Sequence, residues 1–250
     1  MSFGAIIIGD EILSGKRQDK HLAKVIDTLK LRGLELSWAE YIGDEPARIA
    51  ATLQRTFATD DIVFSFGGIG ATPDDYTRQS AAAALGVPVV RHAGAEAEIV
   101  ARFGADSYPK RVIMADFPQG AEMIPNPFNR IAGFSIGKHY FLPGFPEMSW
   151  PMMEWVLETN YKHLFHPAPR DEKIIVIENV NESDLLDLMN HVVTNYDQLK
   201  LSSLPQFVRG GGRIIELSVR GEPGQVADAM AHIKQAVNKM GLRFSDKQNM

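Results

Sequence analysis

Two short apolar runs constrain this chain more than any other feature. Ala5-Ile6-Ile7-Ile8 and Ile62-Val63-Phe64-Ser65-Phe66 present almost nothing polar on either side. A strand of that kind must be covered on both faces, as a central strand of a parallel sheet is. Between the runs the period changes. Leu22, Val25, Ile26 and Leu29 fall at i, i+3, i+4 and i+7 in a predicted helix over 19–31, which makes one buried stripe. Arg32-Gly33 ends it with a glycine at the C-cap. A second strand is predicted over 34–41, followed by the loop Gly43-Asp44-Glu45-Pro46. Pro46 suits the first turn of a helix carrying Ile49, Leu53 and Phe57. Phe66 runs into Gly67-Gly68-Ile69-Gly70-Ala71-Thr72-Pro73-Asp74-Asp75, and a helix with a four-alanine run is predicted from near Asp75. This alternation predicts an α/β unit of three layers, a parallel-rich sheet with helices on both faces. Ligands in such sheets sit beyond the carboxyl ends of the strands. The loops after Ile8, Tyr41 and Phe66 leave from that one edge, so a single shared site is expected there.

Residues 94–145 are less regular, with Pro118, Pro125, Pro127, Pro143 and Pro146 punctuating short strands and turns, before a helix over 147–163. The run over 163–170 reads as a proline-stiffened linker. With 250 residues, it divides the chain into expected domains at 1–165 and 171–250. The second domain restarts the pattern: a strand over 173–180, a helix over 184–196, strands over 199–208 and 213–219 joined by Gly210-Gly211-Gly212 as a hairpin, and a helix over 225–240. This predicts a small α+β module with two helices on one face of an antiparallel-rich sheet. Gly221-Glu222-Pro223-Gly224 formally matches the G-x-x-G clamp of RNA-binding modules, but it joins a strand to a helix and carries an acid and a proline, so it reads as a turn.

Composition removes several function classes. There is no cysteine, hence no disulfide framework, no cysteine-ligated metal and no thiol nucleophile. The net charge of −5 argues against a nucleic-acid binder, which should carry a basic face. The longest nearly apolar stretch, Ala81 to Val90, is interrupted by Gly86 and Pro88 and is too short to span a bilayer. The start, Met1-Ser2-Phe3-Gly4, lacks the basic region of a signal peptide. A cytoplasmic protein without nucleic-acid or membrane partners is expected.

The glycine loop is the first candidate for chemistry. Three glycines in four residues after a buried strand let the backbone approach an anion, and the helix start beyond them supplies free N–H groups. Thr72 adds a hydroxyl. The loop matches neither G-x-x-x-x-G-K-[ST] nor G-x-G-x-x-G, and taken alone it reads equally as a structural turn. Asp74-Asp75 beside it can cap a helix, for which one aspartate suffices. Two carboxylates beside a phosphate-type loop also suit a divalent cation, since hard cations take oxygen ligands. Asp10-Glu11 and Asp44 lie on the neighbouring loops at the same edge. A cluster of that kind repels phosphate without a metal and makes a hydrolase or nucleotidyl-transfer site with one. His163 and His166 read as linker residues; His21 lies nearer the expected site. There is no G-x-S-x-G elbow.

The chain resembles the molybdopterin-binding MoaB/Mog domain, and more closely the amino-terminal domain of the CinA-like (competence/damage-inducible protein A) family. The resemblance rests on Gly9-Asp10-Glu11-Ile12-Leu13 with Gly15, on Gly43-Asp44, and on Gly67 to Asp75 followed by Tyr76-Thr77. Pro118-Gln119-Gly120-Ala121, Asn126-Pro127, Gly133-Phe134 and Pro143-Gly144-Phe145-Pro146 extend it over about residues 4–165. The trailing module is similar, by pattern only, to a KH-type or ferredoxin-like α+β module. The resemblance implies catalytic roles for Asp44 and Asp75 and a Mg-like divalent ion on Asp10, Asp44, Asp74 and Asp75. It implies phosphate or ligand contacts at Gly67, Gly68, Gly70, Thr72, Gly9, Ser14, Asp19, Pro143 and Gly144. Its chemistries are metal-assisted adenylylation of molybdopterin in Mog-type enzymes, metal-dependent cleavage of the ADP-ribose pyrophosphate in CinA-like proteins, and FAD hydrolysis in related domains.

Three readings follow: a metal-dependent pyrophosphatase on ADP-ribose or a related nucleoside diphosphate compound, a molybdopterin-binding or adenylylating protein, and a non-catalytic nucleotide- or pterin-binding scaffold. A nucleotide or pterin partner and a homo-oligomer, dimer or trimer, are implied with them. Longer CinA-like proteins carry a further deamidase domain, for which 250 residues are expected to leave no room. The chain departs from the family pattern at Phe66, where a small hydroxyl residue usually stands, at His21 in place of asparagine, at Ala71 in the usual Gly-Pro-Thr, and at Asn129 in place of glycine.

Overall fold

Strand β1 (Phe3–Ile8) is buried at every position because it has a parallel neighbour on each side. The computed structural model describes residues 2–166, 171–208 and 212–247, in two compact units, Met1–Pro167 and Ala168–Met250. In the first unit β1 is followed by the short helix α1 (Asp10–Leu13), α2 (His21–Lys30), β2 (Leu36–Ile42), α3 (Pro46–Phe57), β3 (Ile62–Phe66), α4 (Thr77–Leu85), β4 (Val89–Arg91), α5 (Ala93–Phe103), β5 (Asp116–Pro118), β6 (Glu122–Ile124), β7 (Gly133–Ile136), β8 (His139–Leu142) and α6 (Pro146–Asn160). The main sheet runs β2-β1-β3-β8-β7-β6. It is parallel from β2 to β8 and antiparallel from β8 to β6. β4 and β5 form a separate antiparallel pair.

Alternation along the strands sorts the core into two layers. Ala5, Ile7, Phe64 and Phe66 pack with Val25 and Leu29 of α2 and Met152, Met153 and Val156 of α6. Ile6, Ile8 and Val63 pack on the other face with Ile49 and Leu53 of α3, Ala81 of α4 and Ile99 of α5. The layered α/β unit expected from the sequence is therefore present, with an antiparallel extension in the region that had read as irregular. Asp10-Glu11 opens α1 rather than a loop. The alanine-rich helix starts at Thr77, two residues after Asp75.

The second unit begins with β9 (Asp171–Glu178), continues through α7 (Leu186–Asn195), β10 (Lys200–Val208), β11 (Gly212–Gly221) and α8 (Pro223–Lys239), and ends in β12 (Phe244–Lys247). Its sheet is antiparallel in the order β10-β11-β9-β12. Both helices share one core with Ile175, Ile177, Ile215, Leu217 and Val219. β12 is the strand the sequence reading lacks: most of it is exposed and polar, so it carries no hydrophobic alternation. Gly221 to Gly224 is a turn into α8, where the Glu222 carboxylate accepts from the Gln225 N–H at 3.0 Å. The proposed hairpin glycines Gly210 and Gly211 and linker residues 167–170 lie outside the described residues. His163 falls in a single 3-10 turn (Lys162–Leu164), and the His166 N–H donates to the Arg32 carbonyl. No described helix is long and apolar enough to cross a membrane.

One core histidine makes a test of the first unit. His139 is 3% exposed, its Nε2 lies 2.9 Å from the Thr56 hydroxyl, and its ring packs on Phe57. Burial pushes its pKa down to about 4. The neutral form is the folded form, so its contribution is complete above about pH 6.5 and is lost as pH falls toward 4. The shift corresponds to roughly 3 kcal/mol at most. Urea unfolding from pH 7 to pH 4 should show this loss, and His139→Gln should flatten the slope over that window.

Candidate functional site

Parallel pairing puts the carboxyl ends of β1, β2, β3 and β8 at one edge, and the loops leaving them touch. The Gly9 N–H donates to the Ile42 carbonyl at 3.0 Å, and the Gly67 N–H to the Leu142 carbonyl at 3.0 Å. Gly67 has φ +104°, and a Cβ on it would stand 2.2 Å from the Ile8 carbonyl oxygen. Gly68 has φ +68°, and a Cβ on it would meet the Thr77 hydroxyl at 2.2 Å. These two positions accept only glycine. Thr77 ties the loop to α4, its hydroxyl donating to the Gly67 carbonyl at 3.0 Å and its N–H to that of Gly68 at 2.9 Å. Gly144 passes close to the Gly67 backbone on the other side, which sets Pro143 and Gly144 against the loop.

The aspartates divide by what they touch. Asp75 faces inward: Oδ1 accepts from the Gly70 N–H at 2.9 Å, and Oδ2 accepts from the Thr72 N–H at 2.8 Å and its hydroxyl at 2.5 Å. Three of about four acceptor positions of a carboxylate are thus in use within the loop. Asp10 and Asp44 bond reciprocally, the Asp10 N–H to Asp44 Oδ2 at 2.8 Å and the Asp44 N–H to Asp10 Oδ1 at 3.2 Å. Burial pushes the Asp44 carboxyl up, and the nearby charges of Asp10, Glu11 and Asp74 add to the rise. Asp74 is exposed, and hydrogen bonding within the loop holds its carboxyl below the usual range. Among the described residues no group of three or more histidines, aspartates and glutamates is arranged to hold a metal ion. The four aspartates expected to ligate a metal therefore do not form a ready-made cage: one serves the loop, and the others line the rim.

Asp19 organises the start of α2. It accepts from the N–H groups of His21 at 2.8 Å and Leu22 at 3.1 Å, and from the Tyr41 hydroxyl at 2.7 Å. Burial raises its pKa, but these bonds outweigh burial and leave it lowered. Burial and the Asp19 carboxylate push the Tyr41 phenol up to about 12. Ser14 is exposed at the end of α1, its N–H bonded to the Asp10 carbonyl.

Beside the loop lies a cleft of about 330 Å³, walled by Phe66, His21, Gly144 and Glu147 and lined by Glu11, Lys16, Arg17 and Lys20. The volume falls at the low end of small-molecule sites. Arg17 sits over the Phe145 ring at 5.3 Å. His21 stacks on Phe66 with ring centroids 4.6 Å apart and an interplanar angle of 18°. Its Nε2 lies 3.2 Å from the Gly144 carbonyl, while its Nδ1 is buried without a partner. Burial lowers its pKa, so the ring is neutral, donates from Nε2 and turns a lone pair inward at Nδ1. Two of the four residues that depart from the family pattern, His21 and Phe66, thus pack as one unit. Lys16, Arg17 and Lys20 are the members the sequence reading missed. Their signal, three cations in the five residues after Gly15, lies in the primary sequence, but such a run is equally the mark of a solvated loop.

Comparison with known proteins identifies the family of the first unit. The family model described as "Probable molybdopterin binding domain" matches residues 4–163. A CinA-like protein of an Anaeromyxobacter species is 35% identical over 178 residues, covering 68% of this chain and 43% of its own length. A protein of Pyrobaculum arsenaticum is 25% identical over 242 residues, covering 94% of this chain and 91% of its own. The chain therefore spans less than half of that CinA-like relative and nearly all of the archaeal one. Among solved structures, the protein CinA of Thermoplasma acidophilum, described as of unknown function, superposes with a TM-score of 0.58 at 26% identity. That match covers 63% of this chain and 96% of the other.

The close approach at Gly67 is open to measurement. Gly67→Ala combines left-handed strain with a clash on main chain, and should cost roughly 2 kcal/mol or more. Gly137→Ala, at φ +56° with open space around it, should cost only about 1 kcal/mol. Equal urea midpoints for the two variants would contradict this account of the loop.

Proposed function

The chain belongs to the molybdopterin-binding domain family, and from that premise we propose that it is a CinA-like enzyme that hydrolyses the pyrophosphate of ADP-ribose or a related nucleoside diphosphate compound. The observation that carries the reading is the glycine loop held open beside an acidic rim and a cleft with three cationic side chains. Left-handed glycines and main-chain N–H groups suit phosphate oxygens. Lys16, Arg17 and Lys20 offset the charge of a diphosphate. Neutral His21 and Phe66 close the far wall of the cleft against water.

The rim suits a divalent cation brought in by the ligand rather than one resident in a cage. Mg²⁺ keeps several waters and commonly rests on one or two carboxylates plus substrate phosphates, and Asp10, Asp44 and Asp74 offer hard oxygens for that purpose. Bound there, the cation supplies charge neutralisation at the phosphoryl oxygens. Where the cation rests on Asp10 and Asp74, the Asp44 carboxylate stays free to accept a proton from an attacking water. The water oxygen bonds to one phosphorus, the bridging P–O bond breaks, and ADP-ribose gives AMP and ribose 5-phosphate. The family match favours a second reading, in which the same loop holds molybdopterin without turnover.

Product analysis with Mg²⁺ or Mn²⁺ decides between them. Asp44→Asn should reduce release of AMP from ADP-ribose by about 10²-fold while leaving the metal-free thermal shift by ADP-ribose in place. If ADP-ribose and FAD stay intact under all these conditions while pterin phosphates raise the melting temperature, the binding reading replaces the hydrolytic one.

A further inference from the structure

Beneath the glycine loop lies a charged side chain that the proposed reaction does not use. Arg78, in the first turn of α4, is 2% exposed. Its terminal nitrogens donate to two main-chain carbonyls, Gly70 at 2.5 Å and Ile113 at 2.7 Å. Its Nε is buried without a partner. Burial disfavours the guanidinium charge, and the carboxylates of Asp75 and Asp116 offset that cost from nearby. This long charged side chain in the interior grips main chain at two places, the loop at Gly70 and the 3-10 turn at Ile113.

Gly70 is consequently held at both ends of its own residue. Asp75 accepts from its N–H at 2.9 Å, and Arg78 donates to its carbonyl. Asp75 also fixes Thr72 through both its N–H and its hydroxyl. A loop with three glycines in four residues loses much backbone freedom on ordering, and a ligand that had to order it would bind more weakly. We propose that Asp75 and Arg78 are positioning residues that clamp the Gly67–Thr72 loop in its anion-binding shape from opposite sides of Gly70, and that Asp75 serves the loop rather than a metal ion. The consequence for binding rests on the phosphate reading above; the clamp itself belongs to the ligand-free protein. Asparagine at 75 presents one acceptor and one donor where loop donors converge, so it breaks the clamp. Lysine at 78 keeps the charge and reaches one carbonyl, so it keeps half of it.

The experiment compares wild type, Asp75→Asn, Arg78→Met, Arg78→Lys and the double variant Asp75→Asn/Arg78→Met. Amide hydrogen exchange at Gly70 and Thr72 is read in ligand-free protein without added metal, and ADP-ribose affinity by calorimetry in the same buffer. The clamp predicts exchange at least tenfold faster in Asp75→Asn and in Arg78→Met, a tenfold or greater loss of affinity in each, and partial recovery of both in Arg78→Lys. The double variant should be no worse than the poorer single one, because both act on one peptide. Wild-type exchange in either single variant overturns the clamp; faster exchange in the variants with affinity unchanged from a wild type that binds overturns its role in anion binding. An Asp75→Asn defect that appears only with Mg²⁺ present overturns it in favour of metal ligation. If Arg78→Met does not fold, Arg78→Lys and Asp75→Asn carry the same decision. A wild type that does not bind ADP-ribose, with the exchange pattern as expected, supports the clamp and overturns the phosphate reading instead.

Discussion

The approach of Gly67 to the Ile8 carbonyl, at a distance that leaves no room for a Cβ, is the contact on which the rest of the site depends. It exists because β1 and β3 are parallel neighbours in register, Ile7 beside Phe66, so both chains leave the sheet at the same height. Each must then turn away without a side chain between them. β8 joins the same edge from the other side of β3, and its exit passes Gly67 at Gly144. Main chain meets main chain at the sheet edge.

The electrostatics of that edge follow from the same crowding. Carboxylates from the loops after β1, β2 and β3 are brought near one another, and burial together with these neighbouring charges raises the pKa of the Asp44 carboxyl. On the cleft side, Lys16, Arg17 and Lys20 face the same opening. An anionic group finds donors and cations on one side and acids that need a cation on the other. Asp75, adjacent to Asp74 in sequence, belongs to neither population, since its bonds go to Gly70 and Thr72.

The layered α/β architecture was legible because burial on both faces leaves a plain mark in Ala5–Ile8 and Ile62–Phe66, and because the stripe Leu22, Val25, Ile26, Leu29 has a helical period. The antiparallel extension β6–β7 and the edge strand β12 were not. β6 and β7 are only three and four residues long and β12 is mostly exposed and polar, too little for alternation to stand out. In the site, the loops were legible through glycine and aspartate, the residues that turns and cations require. Arg78 was not, since an arginine in a helix reads as a solvated cation until the fold shows it buried.

The sequence by itself determined the central strands and the long helices, which edge gathers the loops, and which family the glycine-aspartate motifs point to, because these depend on local period and turn chemistry. Only the tertiary structure decided what each charged side chain does. Asp74 and Asp75 are neighbours in the chain and identical in type, yet one is exposed on the rim and the other staples the loop. Asp19 spends its oxygens on α2 and Tyr41, His21 and Phe66 become one stacked wall, and Arg78 grips Gly70 from below. The role of a carboxylate or a guanidinium is set by which donors and acceptors lie within about 3 Å of it, and those partners come from strands and loops far away in sequence.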